Sequence, residues 1–454
     1  MAALAARGAM DRTGAERKPP AEAPSVLLLD ASPRVGLKIL ISGGGRCNVT
    51  NERVSEADFD TDLPHLVRGL LASFPPESVR RFFESRGCPL YAEPMGKLFP
   101  RSDQADDVLE TVLRAVSESG AELRASAAVV GIDRAPAGST WRVRLADGRA
   151  VAAHRVIVAT GGKSLPRTGS KGFGFELAER LGHRMEPPMP ALTPIRLAPA
   201  GPLAGLAGLT VPALLSLVPR GTLPDQVAGT RFRPLARASG SLLVTHNGIS
   251  GPAPLDVSGA CGRALLLGET VELQADFWTL TREDSPYRAF RGLPKPPGAS
   301  LPSDEAPRPA PFEPFLEEVE ALRAGSERSL AGFLSLRMPR SLSERLLATR
   351  GLDPAQPERQ LDLPAWRRVH EAIARRDLGL AGTEGYQKAE VTRGGVLLGE
   401  LHRTTLESRL HEGLYFCGEV VNATGRLGGF NFQWAWSSGF AAGAGAGRGW
   451  RAAR

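Results

Sequence analysis

KILISGGGRCNVTN, residues Lys38–Asn51, runs from the apolar Ile39–Ile41 into Gly43, Gly44 and Gly45, then into Arg46, Cys47, Asn48, Thr50 and Asn51. Glycine loses more backbone entropy on folding than any other residue, so three in succession are costly in a helix or strand. Their presence implies a need for bare backbone. The usual need is close approach of main-chain N–H groups to a phosphate or a planar cofactor, with Arg46 supplying charge and Asn48 directional hydrogen bonds. A flexible turn is the plainer alternative, but such turns rarely carry so many specific polar side chains.

The whole chain suits a protein built around such a site. Its 454 residues give room for two or three domains, and 42% hydrophobic with 23% charged residues is ordinary for a globular protein. The net charge of +7 would suit an anionic ligand, but basic and acidic residues are interspersed and point to a solvated mixed-charge surface. Aromatics make up only 6% and do not alternate with arginines, so nucleic acid is not an expected partner. Cys47, Cys88, Cys261 and Cys417 form no C-x-x-C pair, which argues for a reducing compartment and against thiol–disulfide chemistry. No run of about eighteen apolar residues predicts a membrane span, and the first residues lack a signal-peptide core. The expected location is the cytoplasm, and no metal site is expected.

Taken in order, MAALAARG reads as the end of an alanine-rich helix stopped by Gly8, and Ala9–Ser25, with Pro19, Pro20 and Pro24, as a loop or disordered insertion. Val26–Leu29 reads as a buried parallel strand, and Asp30 at its end is well placed for a ribose hydroxyl pair. In a dinucleotide fold that strand is the second, following a first strand and a G-x-G-x-x-G turn; neither is in the sequence. Helical spacing within Ala57–Arg86 and over Gln104–Ser119 follows, then strands at Ala127–Ile132 and Trp141–Leu145, with a turn at Asp147-Gly148. Val156–Ala159 is a short strand leading into Thr160, Gly161 and Gly162, where backbone can again approach a ligand. Short apolar segments from Pro187 to Phe277 read as β-rich, Ser285–Pro311 as a Pro-rich connector and Phe312–Leu378 as helical. Leu414–Cys417 is a further strand ending at Gly418 and Glu419. Gly428 and Gly429 precede a helix over Phe430, Asn431 and beyond, whose N-terminal amides suit developing negative charge. Trp434 and Trp436 are expected in the core.

SGGGRCNVTN, ATGGKSLPRTGSKGFG from Ala159 and GLYFCGEVVNATGRLGGFNFQWAWSSG from Gly413 together resemble the signatures of the BaiN-like flavoproteins, also called the YhiN or aminoacetone-oxidase family, within the glutathione-reductase-like FAD superfamily. The resemblance implies an α/β fold: a discontinuous Rossmann-like FAD-binding domain with an inserted β-rich, barrel-like domain and a small helical domain. The boundaries expected are 1–190 and 385–454 for the FAD-binding domain, 191–284 for the β-rich insertion, 285–311 for the connector and 312–384 for the helical insertion. The resemblance implies an FAD-dependent oxidoreductase acting on a small molecule. It implies either oxidation of an amine such as aminoacetone or reduction of an enone with NAD(P)H as transient donor. Gly43 to Asn48, Thr160, Gly161, Gly162, Gly418, Glu419, Asn422 and Gly428 to Asn431 are the expected FAD contacts, with Asp30 at the ribose and backbone near Val129 at the adenine. The family segment matching THNGISGPAPL makes the lone His246 a candidate on the substrate side. Two departures are visible: Phe173 stands where the family usually has Asp, and Asn422 and Thr424 where it commonly has acids. MAALAARG looks like the tail of the first dinucleotide helix, so the true start is expected upstream. A flavin-free binding protein descended from the family is the alternative.

Overall fold

The computed structural model describes residues 1–135, 140–222, 233–281, 308–309, 311–323 and 327–452. The chain divides into two compact units, Met1–Met189 with Glu390–Arg454, and Pro190–Ala389. The connector expected over 285–311 lies outside the described residues except for Arg308, Pro309 and Pro311.

In the first unit, parallel strands form two separate pairs. Leu27–Leu29 runs beside Glu122–Arg124, and Val156–Val158 beside Leu414–Phe416. The first strand was expected to be buried, yet all three leucines are only half-buried. Among the described residues it has one neighbouring strand, so nothing in the sheet covers its second edge. An antiparallel meander, Val129–Arg134, Trp141–Leu145 and Ala150–Ala153, follows the helix Ala105–Glu118. The helical stretch after the glycine cluster is two helices, Pro64–Ser73 and Pro76–Glu84. Pro75 and Pro76 divide it, because proline lacks an N–H and its ring clashes with the preceding turn. Ala9–Ser25 is an ordered loop: Met10 bridges to Glu16, and the Asp11 carboxylate accepts from the Thr13 amide (2.8 Å), the Thr13 hydroxyl (2.6 Å) and the Ala15 amide (3.2 Å).

The helix Phe430–Ala452 ties this unit together. Gly439, Gly443 and Gly447 recur every fourth residue and so share one face. That face meets the first helix, Ala2–Arg7: a Cβ on Gly447 would come within 2.6 Å of the Ala6 carbonyl oxygen, and one on Gly443 would overlap that of Ala2. On other faces Trp434 and Trp436 are buried, as expected, and each indole N–H has a backbone acceptor. Trp434 donates to the Gly418 carbonyl (3.0 Å) and Trp436 to that of Val49 (2.9 Å). The Thr50 hydroxyl donates to Gln433 (2.6 Å), whose amide donates to Phe74 O (2.8 Å). One helix thus holds the segments after both glycine clusters in register.

In the second unit, seven strands among the described residues form an antiparallel sheet. Their order is Arg376–Asp377, Val271–Asp276, Thr210–Pro219, Ala236–Thr245, Gly248–Ser250, Ile195–Leu197, Leu380–Thr383. The two edge strands are consecutive in the chain, separated only by Leu378 and Gly379. A flat sheet of seven strands at about 4.8 Å spacing could not bring its edges so close, so this one curls, as the barrel-like expectation requires. The helices Pro252–Leu266, Phe312–Arg323, Leu330–Leu334, Arg340–Ala348 and Leu363–Ile373 contribute to one hydrophobic core with the sheet. The regions read separately as β-rich and helical therefore share that core.

Candidate functional site

The apolar run before the glycines is a short helix, Leu37–Ile41, capped by Gly36. Gly43, Gly44 and Gly45 then take φ of 56°, 71° and 87°, a left-handed path that L side chains rarely adopt. A Cβ on Gly44 would meet no atom within 4 Å. Packing inside the protein therefore does not explain glycine at this exposed position.

The polar residues that follow are largely occupied. The Asn48 amide, oriented by its surroundings, donates to the Leu98 (3.2 Å) and Thr50 (2.9 Å) carbonyls and accepts from the Gly429 amide (3.0 Å). Asn51 donates to the Met95 (3.0 Å) and Gly428 (3.1 Å) carbonyls. Both residues join the glycine turn to the start of the C-terminal helix instead of projecting toward a ligand. Arg46, expected to supply charge to a phosphate, donates to Glu93 (2.6 Å), lies 3.5 Å from Asp103 and stacks on Phe99 at 4.2 Å. Its bond to Glu93 outweighs partial burial and raises its pKa further. Cys47 points into the core, where burial pushes its thiol up to about 12, and its amide donates to the Ser42 carbonyl (3.0 Å). All four cysteines are buried and free.

The second expected contact, after Val156–Val158, meets the third through a network. The Glu419 carboxylate accepts from the Lys38 ammonium (2.6 Å), the Thr392 amide (2.6 Å) and the Ser164 hydroxyl (3.2 Å), and Lys38 also donates to Ser164 (2.7 Å). A Cβ on Gly162 would come within 2.7 Å of Glu419. Thr160 is exposed at the strand end, and Gly418 has φ 73° with nothing within 4 Å of its missing Cβ. Ser164 and Thr392 were not read from the sequence, because the contact that joins them spans 228 residues. Lys38 lies in the decisive stretch itself, where Arg46, directly after the glycines, carried the reading of charge.

Asp30 and the Val129 segment are neighbours: the Ala127 amide donates to the Asp30 carbonyl (2.8 Å). The Asp30 carboxylate accepts from the Ser32 amide (2.7 Å). Asn422 donates to Asp62 (3.0 Å) and is buried. Asn431 clamps Gly425, accepting from its amide (2.9 Å) and donating to its carbonyl (2.7 Å). Phe430 is buried at the helix start, with the Arg426 guanidinium 4.0 Å from its ring centroid. His246 belongs to the other unit, exposed in the hairpin turn between Thr245 and Gly248.

Residues 9–445 match the model of the HI0933-like protein Rossmann domain. The chain belongs to this family. It is 31% identical over 418 residues to the ribosomal RNA dihydrouridine synthase of Escherichia coli, covering 92% of this chain and 90% of that protein. It is 30% identical over 420 residues to the 3-dehydro-bile acid Δ(4,6)-reductase of Clostridium scindens, covering 92% and 91%. Among solved structures, the 3-ketosteroid Δ1-dehydrogenase of Sterolibacterium denitrificans is similar at 14% identity, covering 99% of this chain and 98% of that one with a TM-score of 0.42, a likeness too slight to argue from. The resemblance carried by the three motifs holds, and the protein is an FAD-dependent oxidoreductase of the HI0933-like kind.

The residues present fit FAD through backbone more than side chains. Gly44 and Gly418 leave open faces, and the helix Phe430–Ala452 directs the partial positive charge of its N-terminus toward the Gly428–Gly429 turn. Asn48, Asn51 and Trp434 hold those turns in place.

Proposed function

We propose that this protein reduces a carbon–carbon double bond conjugated to a carbonyl, on a small cyclic substrate, with NAD(P)H as the transient electron donor. One observation carries the reading. Two relatives that each match 92% of the chain are named for reactions of one chemical kind. A 3-dehydro-Δ(4,6) ring is a conjugated dienone, and dihydrouridine is uridine saturated at the bond conjugated to its carbonyl. Bound FAD would supply hydride. The chain's own part is to hold it: Gly43–Gly45 and Gly418 offer bare backbone, the Lys38–Glu419–Ser164–Thr392 network fixes the turns around it, and the helix starting at Phe430 favours negative charge at its end. A uracil ring within RNA presents the same conjugated bond, and 31% identity to an rRNA dihydrouridine synthase makes it the second reading.

The test is anaerobic. Enzyme reduced with NADPH is mixed with cyclohex-2-enone, a 3-keto-Δ4 steroid or a uridine-containing RNA, and return of the oxidised flavin spectrum is followed. Reoxidation by the enones supports the proposal, and reoxidation by RNA alone moves the substrate to the second reading. If none of the three acts while aminoacetone reduces the oxidised enzyme, with peroxide formed in air, the protein is an amine oxidase and the proposal fails. A purified chain that binds no flavin would leave only a binding role.

A further inference from the structure

Saturating a conjugated double bond takes a proton as well as a hydride, and the groups described so far are poorly placed to give one. The Glu419 carboxylate already accepts three hydrogen bonds, the Cys47 and Cys417 thiols are buried, and the Tyr91 hydroxyl donates to Asp103 at 2.8 Å. Glu390 differs from all of these. It directly precedes the strand Val391–Val396, and its carbonyl oxygen lies 3.1 Å from the Ser164 hydroxyl, sharing that one O–H with the Glu419 carboxylate at 3.2 Å, which sets its backbone beside the Lys38–Glu419 network. Its carboxylate, by contrast, has no hydrogen-bond partner among the described residues, and the residue is exposed. The charged group that acts on it is Lys97. Lys97 stands opposite Asn51 in the Thr50–Asn51 and Lys97–Pro100 pairing, and Asn51 bonds to Gly428 before the C-terminal helix. Glu390 therefore has its backbone on one part of the site and its carboxylate in the field of another.

Resting on the conjugated-carbonyl reading above, we propose that Glu390 is the proton donor of the reaction. The C=C π bond breaks. The β-carbon takes hydride, with its electron pair, from the reduced cofactor, and the α-carbon takes the proton from the Glu390 carboxyl. Glu390 is left as a carboxylate and regains a proton from water, while the nicotinamide restores the reduced cofactor. Burial raises the Glu390 carboxyl above the ordinary glutamate value, with Lys97 opposing the rise. Desolvation favours the neutral acid, and the solvent exposure of the residue leaves a route by which water recharges it.

Two measurements on the full-length protein test this. The first needs no substrate: the infrared carbonyl band of protonated carboxyls is titrated in wild type and in Glu390→Gln. A band missing from the variant should titrate with a midpoint above about 4.3, the ordinary glutamate value; no missing band, or an ordinary midpoint, overturns the proposal. The second separates the half-reactions. Wild type, Glu390→Gln and Glu390→Asp should bind equal FAD and be reduced by NADPH at equal rates. Reoxidation by cyclohex-2-enone should then slow on the order of 100-fold in Glu390→Gln and recover in part in Glu390→Asp. Equal reoxidation of wild type and Glu390→Gln overturns the role of Glu390 alone. A wild type that no enone reoxidises overturns the reading of the reaction, and this proposal with it.

Discussion

Gly44 and Gly418 separate two reasons for a glycine. Both have positive φ, and neither missing Cβ would touch protein, so alanine there should cost only the backbone term, about 1–2 kcal/mol in urea unfolding. If FAD lies against these turns, Gly44→Ala and Gly418→Ala should also weaken FAD binding at least roughly tenfold, about 1.4 kcal/mol, as read by flavin fluorescence. Unchanged affinity would put the cofactor elsewhere. Asp276 gives a residue-scale test in the other unit. Burial is the largest influence on its carboxyl and raises it to about 6 from 3.8, against three hydrogen bonds from Trp278 and Thr279 and the charge of Arg375. Across that window the folded state holds more protons than the unfolded state, so stability falls as pH rises from 3.8 to about 6. The fall contributed by this one group is on the order of 3 kcal/mol. Asp276→Asn, which can keep a similar hydrogen-bond geometry, should flatten that slope relative to wild type in denaturation at pH 4, 5 and 6. Parallel slopes would show that Asp276 titrates normally.

At the scale of elements, the C-terminal helix turns the usual preference for alanine over glycine upside down. Gly443 faces the carbonyl of Ala2 with no room for a methyl, so Gly443→Ala should destabilise by about 1–3 kcal/mol through overpacking. Gly69, inside the helix Pro64–Ser73, has nothing within 4 Å of its missing Cβ. Gly69→Ala should therefore stabilise by about 0.5–1 kcal/mol, and thermal melts of the two variants should move in opposite directions. This contrast also shows what a sequence displays and what it hides. The start of the long helix after Gly428-Gly429 and the stop at Gly8 could be read, because glycine signals are local. That Gly439, Gly443 and Gly447 meet Ala2 and Ala6 could not, since the contact joins residues more than four hundred positions apart. Arg46 and Asn48 follow the same rule: their residue types pointed to a ligand, but Glu93 and Gly429, distant in sequence, claimed them. The motifs located the turns, and the fold assigned the side chains.

For the whole molecule, the order of chemistry along the chain was legible because Gly43–Gly45, Gly161-Gly162 and Gly418 each follow a short apolar run, the mark of a strand or helix feeding a turn. The curl of the second unit was not, since it depends on Arg376–Asp377 and Leu380–Thr383 reaching opposite edges of one sheet. The two units keep separate hydrophobic cores, one in Pro190–Ala389 and two in the remainder, and each is a candidate cooperative unit. Every expected FAD contact lies in Met1–Met189 or Glu390–Arg454, His246 alone standing in the other unit. A ligand that binds only the folded form stabilises the unit it contacts by about 2.7 kcal/mol at one hundred times its dissociation constant. Calorimetry of the FAD-free protein, repeated with FAD at that excess, should therefore resolve two transitions and raise one of them. A tryptophan reporter assigns the transitions: with Trp278, Trp366 and Trp450 replaced by Phe, the remaining indoles, Trp141, Trp434 and Trp436, all lie in the first unit, and their fluorescence should follow the transition that FAD raises. If FAD instead raises the transition these indoles do not follow, the cofactor contacts read from the glycine clusters are wrong. If both transitions rise together, FAD binding is coupled to the stability of the whole chain and the two cores do not melt as independent units.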